Sequence, residues 1–212
     1  MLGIALLTGG CTLHREYTIG QPLGGIKAPL ISRLPIAIGL HYPSAFDEPL
    51  TIEHTEYGIP SKQTFHSEGV RTAIDMAAQS RFSEVIAVKD WNPGKPNATG
   101  EWNFLMVPRA THLGVVLASS SPQEVWWASA EYEFTLYDQS GQQIASHKVR
   151  GHISATSTDT DLPRYRSSAY FDTLITRAVR DALAAWLVQF CHIGSLQKRI
   201  SACASEVALS AR

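Results

Sequence analysis

The longest uninterrupted pattern in the chain is an alternation of apolar and polar residues over 124–137. Every second position is apolar or aromatic, namely Trp126, Ala128, Ala130, Tyr132, Phe134 and Leu136. The positions between them include Ser129, Glu131, Glu133 and Thr135. A period of two with one apolar and one polar face predicts an antiparallel β-strand that is buried on one side and open to water on the other.

A hairpin turn follows this strand. Asp138 to Gly141 reads DQSG, in which the glycine can take positive φ, and residues 142–155 form the return strand. Lys148 and Arg150 fall on the face that carries the two glutamates of the first strand. We therefore expect cross-strand ion pairs that fix the register of the hairpin.

The half of the chain before this hairpin mixes strands with a helix. Residues 35–42 and 84–89 have strand patterns, and apolar residues spaced at three and four predict a helix over 67–81, with Ser67 as N-cap. Two strands joined through a helix favour a parallel pair. A short strand is predicted around residues 50–57.

Two stretches remain before and after the hairpin. Residues 112–119 predict a central strand, whereas 104–107 fit either a strand or a helical turn that Pro108 ends. After the hairpin, Ser167 or Ser168 caps a long amphipathic helix that runs to about Phe190. Together these elements predict an α+β fold that begins as α/β. It has a mixed β-sheet of about five or six strands, with two main helices packed on one face.

Composition narrows the class of protein. The 212 residues are 44% hydrophobic, which suffices for one core. The net charge of -1 offers nucleic acid no basic surface, so we expect no nucleic-acid partner. The charged fraction, 17%, is low for a soluble domain and fits a protein shielded by a membrane or by partners. No apolar run reaches the ~18–20 residues that span a bilayer.

The first eleven residues, MLGIALLTGGC, resemble the signal segment of bacterial lipoproteins. An apolar run leads to two glycines and then to Cys11, which in that family becomes the lipidated N-terminus. Thr8 stands where the family usually has leucine, and no positive charge precedes the apolar run, so the true start codon is expected upstream of Met1. The alternative is a cytoplasmic N-terminal strand that contains a cysteine. The resemblance implies a lipid anchor at Cys11 and, with Thr12 next to it, the periplasmic face of the outer membrane.

These predictions divide the chain into four parts. Residues 1–11 are the lipoprotein signal segment, and residues 12–33, rich in glycine and proline, are a flexible tether. Fully extended, the tether would reach about 65–75 Å. Residues 34–191 form a single α/β domain, and residues 192–212 form a C-terminal tail.

Two further cysteines, Cys191 and Cys203, lie near the C-terminus. In an oxidising periplasm they could form a disulfide. The alternative is a pair of free thiols, because the sequence does not tell how far apart the two residues lie in the fold.

No motif for catalysis rises above background. The eight histidines lack the spacing of metal ligands, the serines lack a nucleophile elbow, and the glycines at 20–25 lack the context of a phosphate loop. We therefore predict no catalytic, cofactor-binding or metal-binding residue. His41 is the most interesting histidine because it ends a strand, although a structural role is favoured.

The loop from Trp91 to Trp102 (WNPGKPNATGEW) is the best candidate for an interaction site. Exposed tryptophans beside a loop suit a protein-binding hot spot. The alternative is that both rings fold back over the edge of the sheet.

The order of elements over about residues 35–190 resembles small periplasmic lipoproteins with a fold like the N-terminal domain of TolB, and the accessory lipoproteins that activate peptidoglycan synthases. The features that match are the segment ending at Cys11, the tether, the helix leading to Phe82, the strand Val85–Val88 and the hairpin turn. The resemblance implies a non-enzymatic, membrane-anchored binding or accessory protein in envelope assembly or transport. Its partner would be an envelope protein or a cell-wall component. A histidine-dependent hydrolase using His41 and a carrier of an apolar ligand remain the alternatives.

Overall fold

The computed structural model describes residues 12–20, 33–56, 59–94, 101–118, 124–159, 162–164, 166–201 and 203. Cys11, the predicted site of lipid attachment, and most of the expected tether, residues 21–32, lie outside the described residues. The strands are β1 Leu13–Thr18, β2 Leu34–Leu40, β3 Leu50–Glu56, β4 Ile59–His66, β5 Phe82–Ala87, β6 Phe104–Ala118, β7 Val125–Tyr137 and β8 Gln143–Thr156. The α-helices are α1 Val70–Arg81, α2 Ser168–Gln189 and α3 Gly194–Gln197, with short 3-10 helices at Ser44–Asp47 and Phe190–His192.

The strands form two sheets. The larger sheet has the order β5-β2-β6-β7-β8, in which β2 runs parallel to β5 and β6 and the remaining pairs are antiparallel. The smaller sheet has the order β1-β4-β3, with β1 parallel to β4 and β3 antiparallel to it. The predicted α+β class, with a mixed five-stranded sheet and two main helices, is confirmed. The separate three-stranded sheet was not predicted.

The core lies between the larger sheet and the two long helices. Trp186 of α2 stacks on Phe134 of β7 with ring centroids 4.7 Å apart. Gly151 of β8 brings the backbones into contact, since a Cβ there would stand 1.9 Å from the carbonyl oxygen of Ala178. Helix and strand thus pack without an intervening layer at this point. Among the helices that the structure describes, none is both long and apolar enough to cross a membrane.

The first described residues are part of the fold. Composition assigned residues 12–33 to a tether, but Leu13–Thr18 form β1 and pair with Ser61–His66 of β4. Tyr17 is 3% exposed and stacks on Phe65, which supplies the apolar contact that the glycine and proline content of this region concealed. The chain therefore enters a sheet two residues after Cys11.

The strand β4 was missed because its inward residues are mostly polar. Ser61, Gln63 and Phe65 alternate as the buried positions of β4, and only the last is apolar. The helix α1 also begins later than expected, with Gly69 rather than Ser67 as N-cap. The carbonyl of Ser67 accepts from the N–H of Val70 in a turn, which delays the start of the helix.

The strand β6 continues through Pro108, which was expected to end it. The carbonyl of Met106 accepts from the N–H of His41. Residues two apart point to the same edge of a strand, so the missing donor of Pro108 faces the edge where β2 has already ended. The proline therefore removes no bond from the ladder and leaves the long strand intact.

The buried side chain of Gln63 joins the two sheets. Its Nε2 donates to the carbonyl of Val115 at 2.7 Å, and its Oε1 accepts from the N–H of Val115 at 3.1 Å. In a regular strand Met106 and Val115 would point to opposite edges, because they are an odd number of positions apart. A β-bulge between Ala110 and His112 shifts the alternation by one residue, so the backbone groups of Val115 face the same edge of β6 as those of Met106. The amide thus satisfies the two polar groups of a buried residue that β2 does not reach.

The end of the described chain is packed against the domain rather than frayed. Cys191 and Cys203 form a disulfide with Cα atoms 4.8 Å apart, and both residues are fully buried. Leu196 and Ile200 are buried between them. The buried Arg81 of α1 donates to the sulfur of Cys191 at 3.1 Å. Leu196, Ile200 and Cys203 therefore belong to the core, although the domain was predicted to end at residue 191.

Replacing Gln63 with alanine tests the bond between the sheets. Gln63→Ala leaves the N–H and C=O of Val115 buried without a partner, so we expect the free energy of unfolding to fall by about 3 kcal/mol. Chemical denaturation measures this change. Gln142→Ala, at an exposed position, is the control and should leave the stability within about 0.5 kcal/mol of wild type. Equal effects of the two substitutions would contradict the role of Gln63.

Candidate interaction surface

The larger sheet has one face covered by helices and one face open to solvent. Along β7 the even-numbered residues from Trp126 to Leu136 are buried, whereas the odd-numbered residues between them are partly or fully accessible. We call the accessible side the open face. It comprises Arg109, Val116, Trp127, Glu131, Glu133, Lys148, Arg150 and His152.

Charged side chains occupy the centre of the open face. Glu131 accepts from Arg150 at 2.7 Å and from the hydroxyl of Thr111 at 2.8 Å, and Lys148 lies 3.8 Å away. Hydrogen bonding to Arg150, followed by that to Thr111, lowers the pKa of the Glu131 carboxyl. The expected pair of Glu131 with Arg150 is confirmed by these contacts.

Glu133 forms a second cluster beside the first. It accepts from the hydroxyl of Ser146 at 2.6 Å and from the guanidinium of Arg109 on β6. The hydrogen bond from Ser146 and then that from Arg109 lower the pKa of the Glu133 carboxyl. Arg109 was not predicted as a partner of Glu133, because the sequence pattern did not place β6 on this side of β7. Lys148, one of the two expected cations, stands opposite Glu133 on β8 and contacts Glu131.

An apolar patch adjoins the charged centre. Val116 and Trp127 face each other across β6 and β7, and they are 47% and 43% exposed. The ring of His152 on β8 packs edge-on against Trp127, with centroids 4.7 Å apart. A tryptophan held in place by a neighbouring ring offers rigid apolar area next to fixed charges, as binding hot spots do.

The tryptophans of the expected interaction loop are placed differently. Trp102 is 3% exposed and lies under Gly39, which leaves its ring no access to a partner. Trp91 is half-buried and packs on Tyr137 with centroids 4.4 Å apart. The exposed-loop prediction therefore fails at Trp102, where the ring covers β2 instead. Residues 95–100 between them lie outside the described residues.

His41 lies in the same aromatic group. Its Nδ1 is 2.9 Å from the carbonyl of Val88, and its ring meets Trp91 at 5.8 Å. Burial, followed by the negative charge of Glu133, raises the pKa of Tyr137 nearby. His41 is thus tied to the backbone of the strand edge, which is the structural role that the sequence favoured.

Trp127 is the functional candidate that sequence reasoning missed. The period-two pattern already puts residue 127 on the water-facing side of its strand, between Trp126 and Ala128. A large aromatic residue followed on the same face by serine, two glutamates and threonine at 129–135 was the available signal. In the described part of the chain no three histidine, cysteine, aspartate or glutamate side chains cluster as metal ligands would.

Comparison with known proteins gives limited likeness. No family model and no curated protein matches this chain.

Among solved structures, the chain is similar to a minor lipoprotein from Acinetobacter baumannii (13% identity, 79% of this chain and 96% of that one, TM-score 0.39). It is also similar to a hypothetical protein from Chlamydia trachomatis (12%, 74% and 95%, 0.41). A third is a neuraminyllactose-binding hemagglutinin homolog from Helicobacter pylori (11%, 77% and 89%, 0.42). At these identities and TM-scores the likenesses carry no argument about what this chain does.

Glu131 and Glu133 make the free energy of unfolding depend on pH in the acidic range. Their pKa values are lowered from the ordinary 4.5 in the folded chain, so the folded state binds fewer protons than the unfolded state as the pH falls. The stabilisation is complete above that value and is lost as the pH drops through the lowered pKa values. In a Glu131→Gln/Glu133→Gln variant, the melting temperature should be lower at about pH 7 and fall less towards about pH 3 than in wild type.

Thermal unfolding followed by circular dichroism across this range checks the expectation. Glu84→Gln, at an exposed position on β5, is the matched control and should follow the wild-type curve. A double variant that loses stability with acid as steeply as wild type would show that the two carboxylates do not carry the effect.

Proposed function

We propose that this protein is a lipid-anchored, non-enzymatic binding protein on the periplasmic face of the outer membrane, acting in envelope assembly or transport. Its lipid is attached at Cys11. Its partner is an envelope protein or a cell-wall component, which it contacts through the open face.

The segment ending at Cys11 carries the anchoring part of this proposal. Two glycines precede the cysteine, and the described fold starts with β1 at Leu13. Cleavage before Cys11 would therefore remove no described residue. A lipid on the new N-terminus would hold the domain at a membrane without any membrane-spanning helix.

The open face supports the binding part. It combines an exposed tryptophan, an exposed valine and two arginines that each hold a glutamate. Aromatic and arginine side chains are enriched in protein interfaces, whereas a face that only meets water needs no large aromatic residue. The fixed ion pairs reduce the entropy that these side chains lose on binding.

The two alternatives have less support. A hydrolase built on His41 needs a carboxylate beside the ring, but the ring meets Trp91 and the carbonyl of Val88. A carrier needs space between the long helix and the sheet, and at Gly151 the two are in backbone contact.

Substituting Cys11 tests the anchor. Wild-type protein expressed in bacteria with a labelled fatty acid should carry the label and sediment with membranes. Cys11→Ala should carry none and stay in the soluble fraction, because the lipid has no sulfur to attach to. Cys191→Ala/Cys203→Ala, which leaves Cys11 in place, is the control and should keep the label. An unlabelled wild-type protein would remove the proposal.

Photocrosslinking from the open face tests the binding role. A photoreactive phenylalanine at position 127 should yield a discrete adduct in living cells, several-fold above that from position 76. Met76 lies on the helix side and is equally exposed, at 45% against 43% for Trp127. An adduct to protein identifies a protein partner, and recovery with purified peptidoglycan identifies a cell-wall partner. Equal, diffuse adducts from both positions would contradict the assignment of the face.

A further inference from the structure

We propose that the end of the molecule at which β1 begins rests directly on the bilayer, with Leu13 and Ile59 inserted among the lipid headgroups. This inference rests on the proposed lipid at Cys11. It adds the orientation of the domain and the residues that touch the membrane.

The length of chain between anchor and fold sets the distance. Cys11 and Leu13 are two residues apart, so their Cα atoms are separated by at most about 7 Å. Leu13 is already paired with Ser61 in the smaller sheet. The tether of about 65–75 Å expected from composition is thus reduced to two residues. A domain attached this closely cannot stand away from the headgroups.

The residues nearest the anchor expose apolar side chains. Leu13 and Ile59 are 39% and 49% exposed, although both are on the face of the smaller sheet that buries Tyr17 and Phe65 further along. The inward face of this sheet therefore continues past the part that the rest of the domain covers. Two large aliphatic side chains at that end are what a membrane surface, rather than water, would accommodate.

The contacts between the sheets place this end with respect to the larger sheet. Gln63 of β4 bonds to Val115, and the guanidinium of Arg15 lies 5.9 Å from the ring of Trp126. The smaller sheet thus begins where β6 ends and β7 begins. Val116 and Trp127 lie at the same level on the open face, so four of the six large exposed apolar side chains among the described residues lie towards this end.

Val188, one of the remaining two exposed apolar residues, lies elsewhere. Phe171 of α2 packs on Trp126 and Trp186 packs on Phe134, so α2 runs alongside β7. Eight residues of strand separate these contacts by about 26 Å. Val188, 44% exposed, therefore lies at the end of the molecule away from the anchor.

Charge does not explain the contact. Lys62 faces Glu53 across β3 and β4, and Glu16 lies on the neighbouring β1, so cations and carboxylates stand side by side on the outer face of the smaller sheet. The attraction to the bilayer is then apolar, and salt should leave it unchanged.

Quenching by brominated lipid tests the orientation. Lipidated full-length protein is placed in vesicles of phosphatidylethanolamine and phosphatidylglycerol whose acyl chains carry bromine, which quenches tryptophan only at close range. The emission added by Ile59→Trp should be quenched several-fold more than that added by the matched control Val188→Trp. High salt should not change this ratio. Near-ultraviolet circular dichroism confirms that both variants fold.

Each result bears on one of the two proposals. Mass spectrometry of the same samples reports the lipid at Cys11 independently. A lipidated protein with equal quenching at positions 59 and 188 overturns the orientation and leaves the proposed function standing. Quenching at position 59 that disappears in salt overturns the apolar insertion. A protein without lipid at Cys11 overturns the proposed function and, with it, the orientation that rests on it.

Discussion

The side-chain amide of Gln63 forms hydrogen bonds with an edge of β6 that no described strand pairs with at that point. Beyond Met106, β6 has lost its neighbour β2, and the backbone of Val115 is buried with its polar groups facing that edge. The two hydrogen bonds from Gln63 supply what a paired strand would supply. Because Gln63 sits in the middle of β4, this contact also carries the smaller sheet, and with it the segment that follows Cys11. The placement of β1 against the larger sheet therefore depends in part on one buried amide.

The difference between the two faces of the larger sheet has a single origin. On one side Gly151 lets α2 approach until the backbones touch, and Trp186 fills the space over Phe134. Both long helices are used on that side, so the opposite side of β6, β7 and β8 stays open. The charged side chains on this open side pair with one another, and the ring of Trp127 stays exposed to solvent. The open face is thus a consequence of how the helices are distributed.

Sequence reasoning succeeded where the periodicity was long and strong. The alternation from Trp126 to Leu136, the stripe of α2 and the hairpin turn with Gly141 are local patterns, and the structure reproduces each of them. It failed where long-range contacts override composition. The strand β1 is held by stacking of Tyr17 on Phe65, nearly fifty residues away, and β4 turns a glutamine and a serine inward. Pro108 was expected to end β6. It does not, because β2 has already ended at the edge that Pro108 faces, and the sequence does not show which strands are neighbours in the sheet. The burial of Trp102 likewise depends on a glycine in a distant strand.

The parallel pairing of β1 with β4 also decides how the molecule bears a load. Under the proposed function, a lipid at Cys11 would pull on the N-terminal end of β1, whereas a partner on the open face would pull on the larger sheet. A force along the strands would act as shear between β1 and β4, and the whole ladder from Leu13 to Thr18 would resist it together instead of opening one bond at a time. Beyond β4 the same force reaches Gln63. The proposed anchor would in this way keep a bound partner close to the membrane under tension.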